Sequence, residues 1–427
     1  MAKYFLDKKA LLIISYYLFS SATAYSQKTN SLNIDSCYVM AQRNYPLVKQ
    51  YALIEKSTAY SIDNVNKQNF PQFNIMGQAT HQSDVTEIPI KLPNLNIEPL
   101  SKDQYRLYGE ISQPITDLFT VKDQKEFFNN YSEIENQKIE VELYKFKERI
   151  NNLFFGILLI DAQVEQTDLL KKDIQTGINK MYTAIANGIA LKSSADNLKA
   201  ELLKANQRII ELKSNKKGYA AMLSLFINEN IDDSTTFIKP ATQQISNTIN
   251  RPELKLYDLQ KKKFDVQRKL ITAKTLPRFS LFAQGGLGRP ALNMLSNDAT
   301  SYYIGGVRLN WNITGFYTYK KDKRIIDIQQ SGVDIQKDVF LFNTNLTLQQ
   351  QNWEVIKAQE LIETDYSIIK LRESINNTTK NQLEYGTATT NDYLTAVNAK
   401  DQAQQNLELH QIQLLMAQYN YHTTSGN

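Results

Sequence analysis

Hydrophobic positions along this chain follow two different periods. Ile139, Leu143, Phe146, Ile150, Leu153, Ile157, Ile160 and Val164 recur at strict 4-3 spacing, which predicts a helix with a coiled-coil seam. Elsewhere the period drops to two. Phe73, Ile75, Gly77 and Ala79 alternate with Gln72, Asn74, Met76, Gln78 and Thr80. Phe279, Leu281, Ala283 and Gly285 alternate in the same way with Arg278, Ser280, Phe282, Gln284 and Gly286. Such alternation predicts strands with one apolar and one polar side. A second strand follows each of these, over about Tyr105–Gln113 and about Tyr302–Trp311. Loops containing Pro93 and Pro99, or Pro290, separate the strands.

Breakers set the remaining boundaries. Ser31–Arg43 reads as a short helix, and Pro46 stands where the next can begin, running to about Gln68. Pro71 and Pro277 act as helix-to-strand breakers. No proline occurs from Asp117 to about Ala186 or from Gly315 to about Glu384. Each stretch is roughly 70 residues, so each helix could reach roughly 100 Å at about 1.5 Å per residue. Gly188 and Gly386 mark the ends of these helices and tight reversals. Return helices run to about Asn228 and His422.

These elements come in duplicate. Pro46 precedes Pro71 by 25 residues, and Pro252 precedes Pro277 by the same distance. Ile115-Thr116-Asp117 matches Ile313-Thr314-Gly315, and Asn187-Gly188-Ile189-Ala190 matches Tyr385-Gly386-Thr387-Ala388, both at an offset of 198. The chain therefore divides into a first repeat over 27–228, a polar linker over 229–250 and a second repeat over 251–427. Each repeat reads helix, strand, strand, very long helix, turn, helix.

Composition narrows the class. Gly (15) and Pro (10) are scarce in 427 residues, as long uninterrupted elements require. A mean hydropathy of −0.43 beside 42% apolar residues fits polar surfaces with narrow apolar seams. The net charge is only +5, and no basic run alternates with aromatics, so nothing points to nucleic acid.

At the N-terminus, Lys3, Lys8 and Lys9 precede the apolar stretch Ala10–Phe19, and Ala24-Tyr25-Ser26 has a small-x-small pattern. Residues 1–26 thus read as a cleaved signal peptide. Beyond it no stretch is apolar and long enough for a spanning helix, so the exported chain either stays soluble or enters a membrane as strands. Cys37 excludes an intramolecular disulfide and reads as a small buried hydrophobe on the first helix. His81, His410 and His422 show no ligand spacing, so neither a metal, a cofactor nor an enzymatic activity is expected. Gly285-Gly286-Leu287-Gly288 lacks the lysine and helix of a phosphate loop and reads as a strand-to-loop turn.

Four strands with one apolar face cannot close a barrel alone, because known membrane barrels begin at about eight. Open edges are not tolerated in lipid, so several chains must share one barrel. Aromatic residues near the strand ends suit a membrane-interface girdle or an ordinary sheet: Phe70, Phe73, Tyr105, Tyr108, Phe279, Tyr302, Tyr303, Trp311 and Phe316. The fold class is mainly α with a membrane β-barrel, four strands per chain feeding an oligomeric barrel continued by a helical coiled-coil tunnel.

With the duplication, the paired proline spacing, Leu383-Glu384-Tyr385-Gly386-Thr387-Ala388-Thr389 and Tyr393-Leu394-Thr395-Ala396-Val397-Asn398-Ala399, the chain resembles the TolC-type outer-membrane efflux family over nearly all of its mature length. The resemblance implies a homotrimer with a twelve-stranded barrel in outer-membrane lipid and an α-helical periplasmic tunnel. It also implies docking to a periplasmic adaptor and an inner-membrane pump, in an efflux or type I secretion system. The family narrows its tunnel beside the last helix–helix turn with two acidic residues. Asp392 falls on the first of these positions, and Thr395 on the second, a departure from the pattern. A ring of Asp392 would favour cations. A carboxylate there is equally at home as a helix-start residue, and the two roles are compatible. A secreted coiled-coil scaffold or adhesin with a small soluble sheet is the alternative; it explains the heptad seam but not strand hairpins with one greasy face.

Overall fold

The computed structural model describes residues 31–87, 99–246 and 248–427. The signal-peptide reading of 1–26 and the loop proline Pro93 lie outside them. In chain order the elements are β1 (Ser31–Leu32), α1 (Ile34–Asn44), a 3-10 turn (Pro46–Val48), α2 (Lys49–Lys67), β2 (Gln72–His81), β3 (Asp103–Pro114), α3 (Asp117–Tyr144) and α4 (Phe146–Ala186). There follow α5 (Lys192–Ile227), β4 (Thr236–Phe237), α6 (Pro252–Ala273), β5 (Arg278–Arg289), β6 (Thr300–Asn310), α7 (Gly315–Glu384) and α8 (Thr390–Ser425).

The element order repeats as the sequence predicts, with four differences. The first long helix is interrupted at Lys145, whereas α7 runs unbroken for 70 residues. Of the 4-3 seam, Ile139 and Leu143 before the interruption and Phe146, Ile150, Ile157 and Ile160 after it are buried, while Leu153 and Val164 are half-buried. Second, α6 ends at Ala273, short of Pro277, while α2 ends at Lys67, at the expected boundary near Gln68 and likewise short of Pro71. Proline disfavours the α conformation of the residue before it, so the helices stop early and each proline stands at the strand entrance. Third, residues 229–250 hold a strand: β4 pairs in parallel with β1 through Ser31–Thr236 and Leu32–Phe237. Fourth, α8 continues past His422, whose Nε2 lies 2.7 Å from the Gln244 carbonyl oxygen, so this end is pinned.

Two compact units gather segments of both repeats. One comprises the described residues up to Asn44 with Glu148–Gln243 and Glu354–Tyr419; the other comprises Tyr45–Lys147, Gln244–Trp353 and Asn420–Asn427. In the first, Ile34, Cys37 and Ala41 give α1 its buried face, and α1 packs on α5. Burial raises the Cys37 thiol to about 12, so it stays a neutral hydrophobe. Phe154 meets Phe237, and Phe155 meets Tyr419, edge to face. A Cβ at Gly156 would collide with the Tyr219 ring, so the glycine sets how closely α4 and α5 approach.

In the second unit α3 packs on α2 and α6. Lys262–Glu133 (3.1 Å) and Lys269–Glu126 (2.8 Å) tie α6 to α3. Such exposed pairs set orientation more than stability. The same unit holds a fully antiparallel sheet in the order β2-β3-β5-β6. The β3–β5 pairing joins the repeats, Leu107 opposite Leu287 and Glu110 opposite Gln284. The edges β2 and β6 have no partner strand among the described residues.

Candidate functional site

The sheet is inverted relative to a soluble one. Its apolar face, with Phe73, Ile75, Leu107, Ile111, Leu281, Tyr303 and Val307, is open: Ile75 is 86% exposed and Tyr303 86%. In water a sheet packs such a face on a core and leaves the polar face wet. Here the most deeply covered strand carboxylate, Glu110 at 4% exposure, stands on the polar face instead. Arg308 donates to both of its oxygens at 2.7 and 2.8 Å, Gln284 donates at 2.5 Å, and the Arg308 guanidinium lies 4.4 Å from the Phe282 ring centroid. A bidentate pair of this kind spans three strands and fixes their register. Sequence parity places all four residues on one face; that they touch is visible only once β6 is laid beside β5.

Two sequence expectations need correction here. Gly285–Gly288 is not a turn, because β5 continues to Arg289. A Cβ on Gly286 would fall on the Leu107 carbonyl, so this glycine lets β5 approach β3 closely. Of the aromatic set, Tyr108 and Tyr302 share the polar face, paired in register with Gly286. Phe70, Phe73, Tyr105, Phe279, Tyr303, Trp311 and Phe316 are exposed.

The second candidate region is the pair of helix–helix turns. Gly188 has φ +75° and Gly386 φ +70°. Each closes its helix with the same two hydrogen bonds. Gly188 N donates to Ile185 O and Ile189 N to Ala184 O; Gly386 N donates to Leu383 O and Thr387 N to Gln382 O. This is the Schellman pattern, and with nothing near either missing Cβ the left-handed backbone alone selects glycine.

The turns differ in how the next helix starts. The α5 start has Leu191 and no side-chain cap. The α8 start has a reciprocal cap: the Asp392 carboxylate accepts from Thr389 N (2.8 Å) and Thr389 Oγ1 (2.7 Å), and Thr389 Oγ1 accepts from Asp392 N (3.1 Å). These bonds from Thr389, side chain first and backbone second, hold the Asp392 carboxyl below the usual aspartate range. Asp392 is exposed, and so is Thr395, whose hydroxyl donates to Asn391 O at 2.8 Å.

Behind the turns lies a cluster that sequence reasoning missed. Tyr393 (3% exposed) packs with Ile174, Ile178, Met181, Ala195, Leu198 and Val397, drawing α4, α5 and α8 together. Its ring presses on Gly177, where a Cβ would sit 2.8 Å from Cε1. Burial, then the charge of Asp173, raises the phenol to about 12. Around it, Lys400 pairs with Asp173 at 3.2 Å. Lys180 meets Glu384, and burial, then the neighbouring Lys380, hold its ammonium below the lysine range.

Further along α8, Asp401 is 8% exposed. It accepts from Gln405 Nε2 at 2.6 Å, and Gln405 in turn accepts from Arg208. Burial raises its pKa, against opposing pulls from Gln405, Arg208 and Lys400. An acid with a raised folded-state pKa favours the fold while protonated. That contribution is complete below the unfolded value of about 3.9 and is lost as pH rises through the folded value. Asp401→Asn is therefore expected to raise the denaturation midpoint near neutral pH and to match wild type near about pH 4. Parallel pH profiles for the two proteins would contradict this.

Neither a family model nor a curated protein matches the chain. Solved structures do. The outer membrane protein VceC from Vibrio cholerae aligns with 92% of this chain and 96% of its own at a TM-score of 0.65 and 12% identity. The Campylobacter jejuni CmeC outer membrane channel aligns with 100% of this chain and 93% of its own at 0.62 and 12%. The fold is that of the TolC-type outer-membrane efflux channels. The open-state Neisseria gonorrhoeae MtrE outer membrane channel gives 0.63 at 12% identity over 92% of this chain and 89% of its own. At such identities it is the fold that is shared.

Proposed function

We propose that this chain is one protomer of a passive outer-membrane exit channel, exported by a cleaved signal peptide. The observation that carries the reading is the inverted sheet. A sheet that leaves its apolar face open and covers the Glu110 carboxylate on its polar face, beneath an exposed Arg308, suits lipid outside and water inside. Its two open edges call for further copies of the chain, and three copies would close a twelve-stranded barrel. The long helices of each copy would continue the barrel as a periplasmic tunnel, meeting an adaptor and an inner-membrane pump. These partners supply the energy; the channel itself turns over no substrate.

The tunnel would be narrowest at the helix–helix turns, with Asp392 and Thr395 on its rim, and would open by displacement of the hairpins around Gly188 and Gly386. The capping bonds fit this role, because they fix the Asp392 carboxylate in its charged form at an exposed turn. Conductance of the purified protein in a planar bilayer tests the reading. A small cation-preferring conductance is expected, with the preference reduced by Asp392→Ala. An unchanged preference in the variant would remove Asp392 from the constriction and keep the channel. A folded protein that stays soluble without detergent and never inserts would support the coiled-coil scaffold instead.

A further inference from the structure

We propose that the polar face of the sheet carries an anion-binding site centred on Arg106, which takes solutes bearing carboxylate, sulfate or phosphate groups. The inference rests on the channel reading above, in which this face lines the barrel.

Strand parity puts Arg106, Glu110 and Arg308 on the same face. Glu110 is already saturated by both arms of Arg308 and by Gln284. Those two charges cancel locally. Arg278, at the far strand end, is engaged in an interaction of its own. Arg106 has no carboxylate partner among the described residues. The nearest acid along the strand, Asp103, has the opposite parity and pairs with His81 at 2.8 Å.

The surroundings of Arg106 are shaped to leave it accessible. Its register partners are Gln78 on β2 and Gly288 on β5, and Gly288 in turn faces Thr300 on β6. Arg106 Cγ lies 3.5 Å from the place a Cβ on Gly288 would take. The arginine stem therefore lies across the sheet in ordinary contact distance of this position, while the glycine itself is required by the closer Pro290 and Ala291 backbone. Gln78 and Thr300 offer neutral polar groups on either side. A guanidinium presents five donors and no acceptor, in a fork that fits carboxylate or phosphate oxygens. Repeated in every copy around a closed barrel, it makes a basic ring, and rings of arginine attract anions. The ring lies toward the loop-bearing ends of the strands, so the channel would carry a basic site there and the acidic Asp392 at its helical turns.

The test is the reversal potential of the purified full-length protein in a planar bilayer under a KCl gradient, with inositol hexakisphosphate added as a blocker. Arg106→Gln is expected to lower the chloride-to-potassium permeability ratio about twofold or more and to abolish the block, while Arg106→Lys keeps most of the ratio. Glu110→Gln, which frees Arg308, is expected to move the ratio the other way. Conducting Arg106→Gln channels with unchanged ratio and unchanged block would overturn the proposal. A folded wild-type protein that gives no conductance would remove the channel reading and the site with it.

Discussion

Replacing Ile335 and Phe342 of α7 together by glutamate is expected to leave the chain folded but monomeric. These residues belong to a stripe that holds 4-3 spacing from Ile328 through Ile335, Val339, Phe342 and Leu346 to Trp353. In a coiled coil such a stripe meets a partner helix. Here it is open within the chain: Ile328 is 71% exposed, Phe342 63% and Trp353 65%. Gly332 occupies the same stripe with free space where its Cβ would be. Burying one such large apolar side chain is worth about 1.5–3 kcal/mol. A stripe of this length would therefore hold copies together strongly, as a barrel shared between chains requires. A buried, unpaired carboxylate costs several kcal/mol, so two per copy should dissociate the assembly. Mass determination in detergent would show a fall to about a third, with the helical circular dichroism unchanged, since both positions are exposed in the single chain. An intact oligomer in the double variant would mean that α7 faces something else.

Tyr393→Ala carries the second large effect. The side chain fills the space between Ile174, Ile178, Leu198 and Val397, and its hydroxyl reaches the Asp173 carbonyl oxygen at 3.3 Å. Truncating a buried aromatic costs about 3–5 kcal/mol through lost transfer energy and the cavity left behind. The loss would fall on the turn-proximal ends of α4, α5 and α8. Hydrogen exchange should accelerate around Gly188 and Gly386, and the bilayer conductance should rise as the hairpins loosen. Tyr393→Phe, which keeps the packing and gives up one long hydrogen bond, should cost about 1 kcal/mol or less. Equal effects of the two substitutions would show that the hydroxyl, not the packing, holds the cluster.

Much of this architecture was legible in the chain before folding. The period of two around Phe73 and Phe279 assigned strands, their faces and their polarity. The 4-3 seam from Ile139 and the absence of proline assigned the long helices. Gly188 and Gly386 located the turns, because a left-handed residue ending a helix is a local requirement that the sequence must meet locally. Other features were hidden. The Lys145 interruption carries no proline or glycine signal. Gly285–Gly288 looked like a turn because glycine reports freedom and close approach with the same letter, and only the neighbouring β3 backbone tells them apart.

By itself the sequence determined what depends on neighbours along the chain: the duplication, the order of helices and strands, and which side of each strand is apolar. It also placed Asp392 at a helix start, where the dipole and the Thr389 cap both favour a carboxylate. The tertiary structure alone decided what depends on residues far apart in number. It set Glu110 against Arg308, left Arg106 without a carboxylate partner among the described residues, and drew Tyr393 onto Gly177 and Asp173. It also left the apolar face of the sheet and the stripe on α7 uncovered. Pairing and exposure are properties of packed elements, and no local pattern encodes which apolar surfaces a single folded chain will leave uncovered.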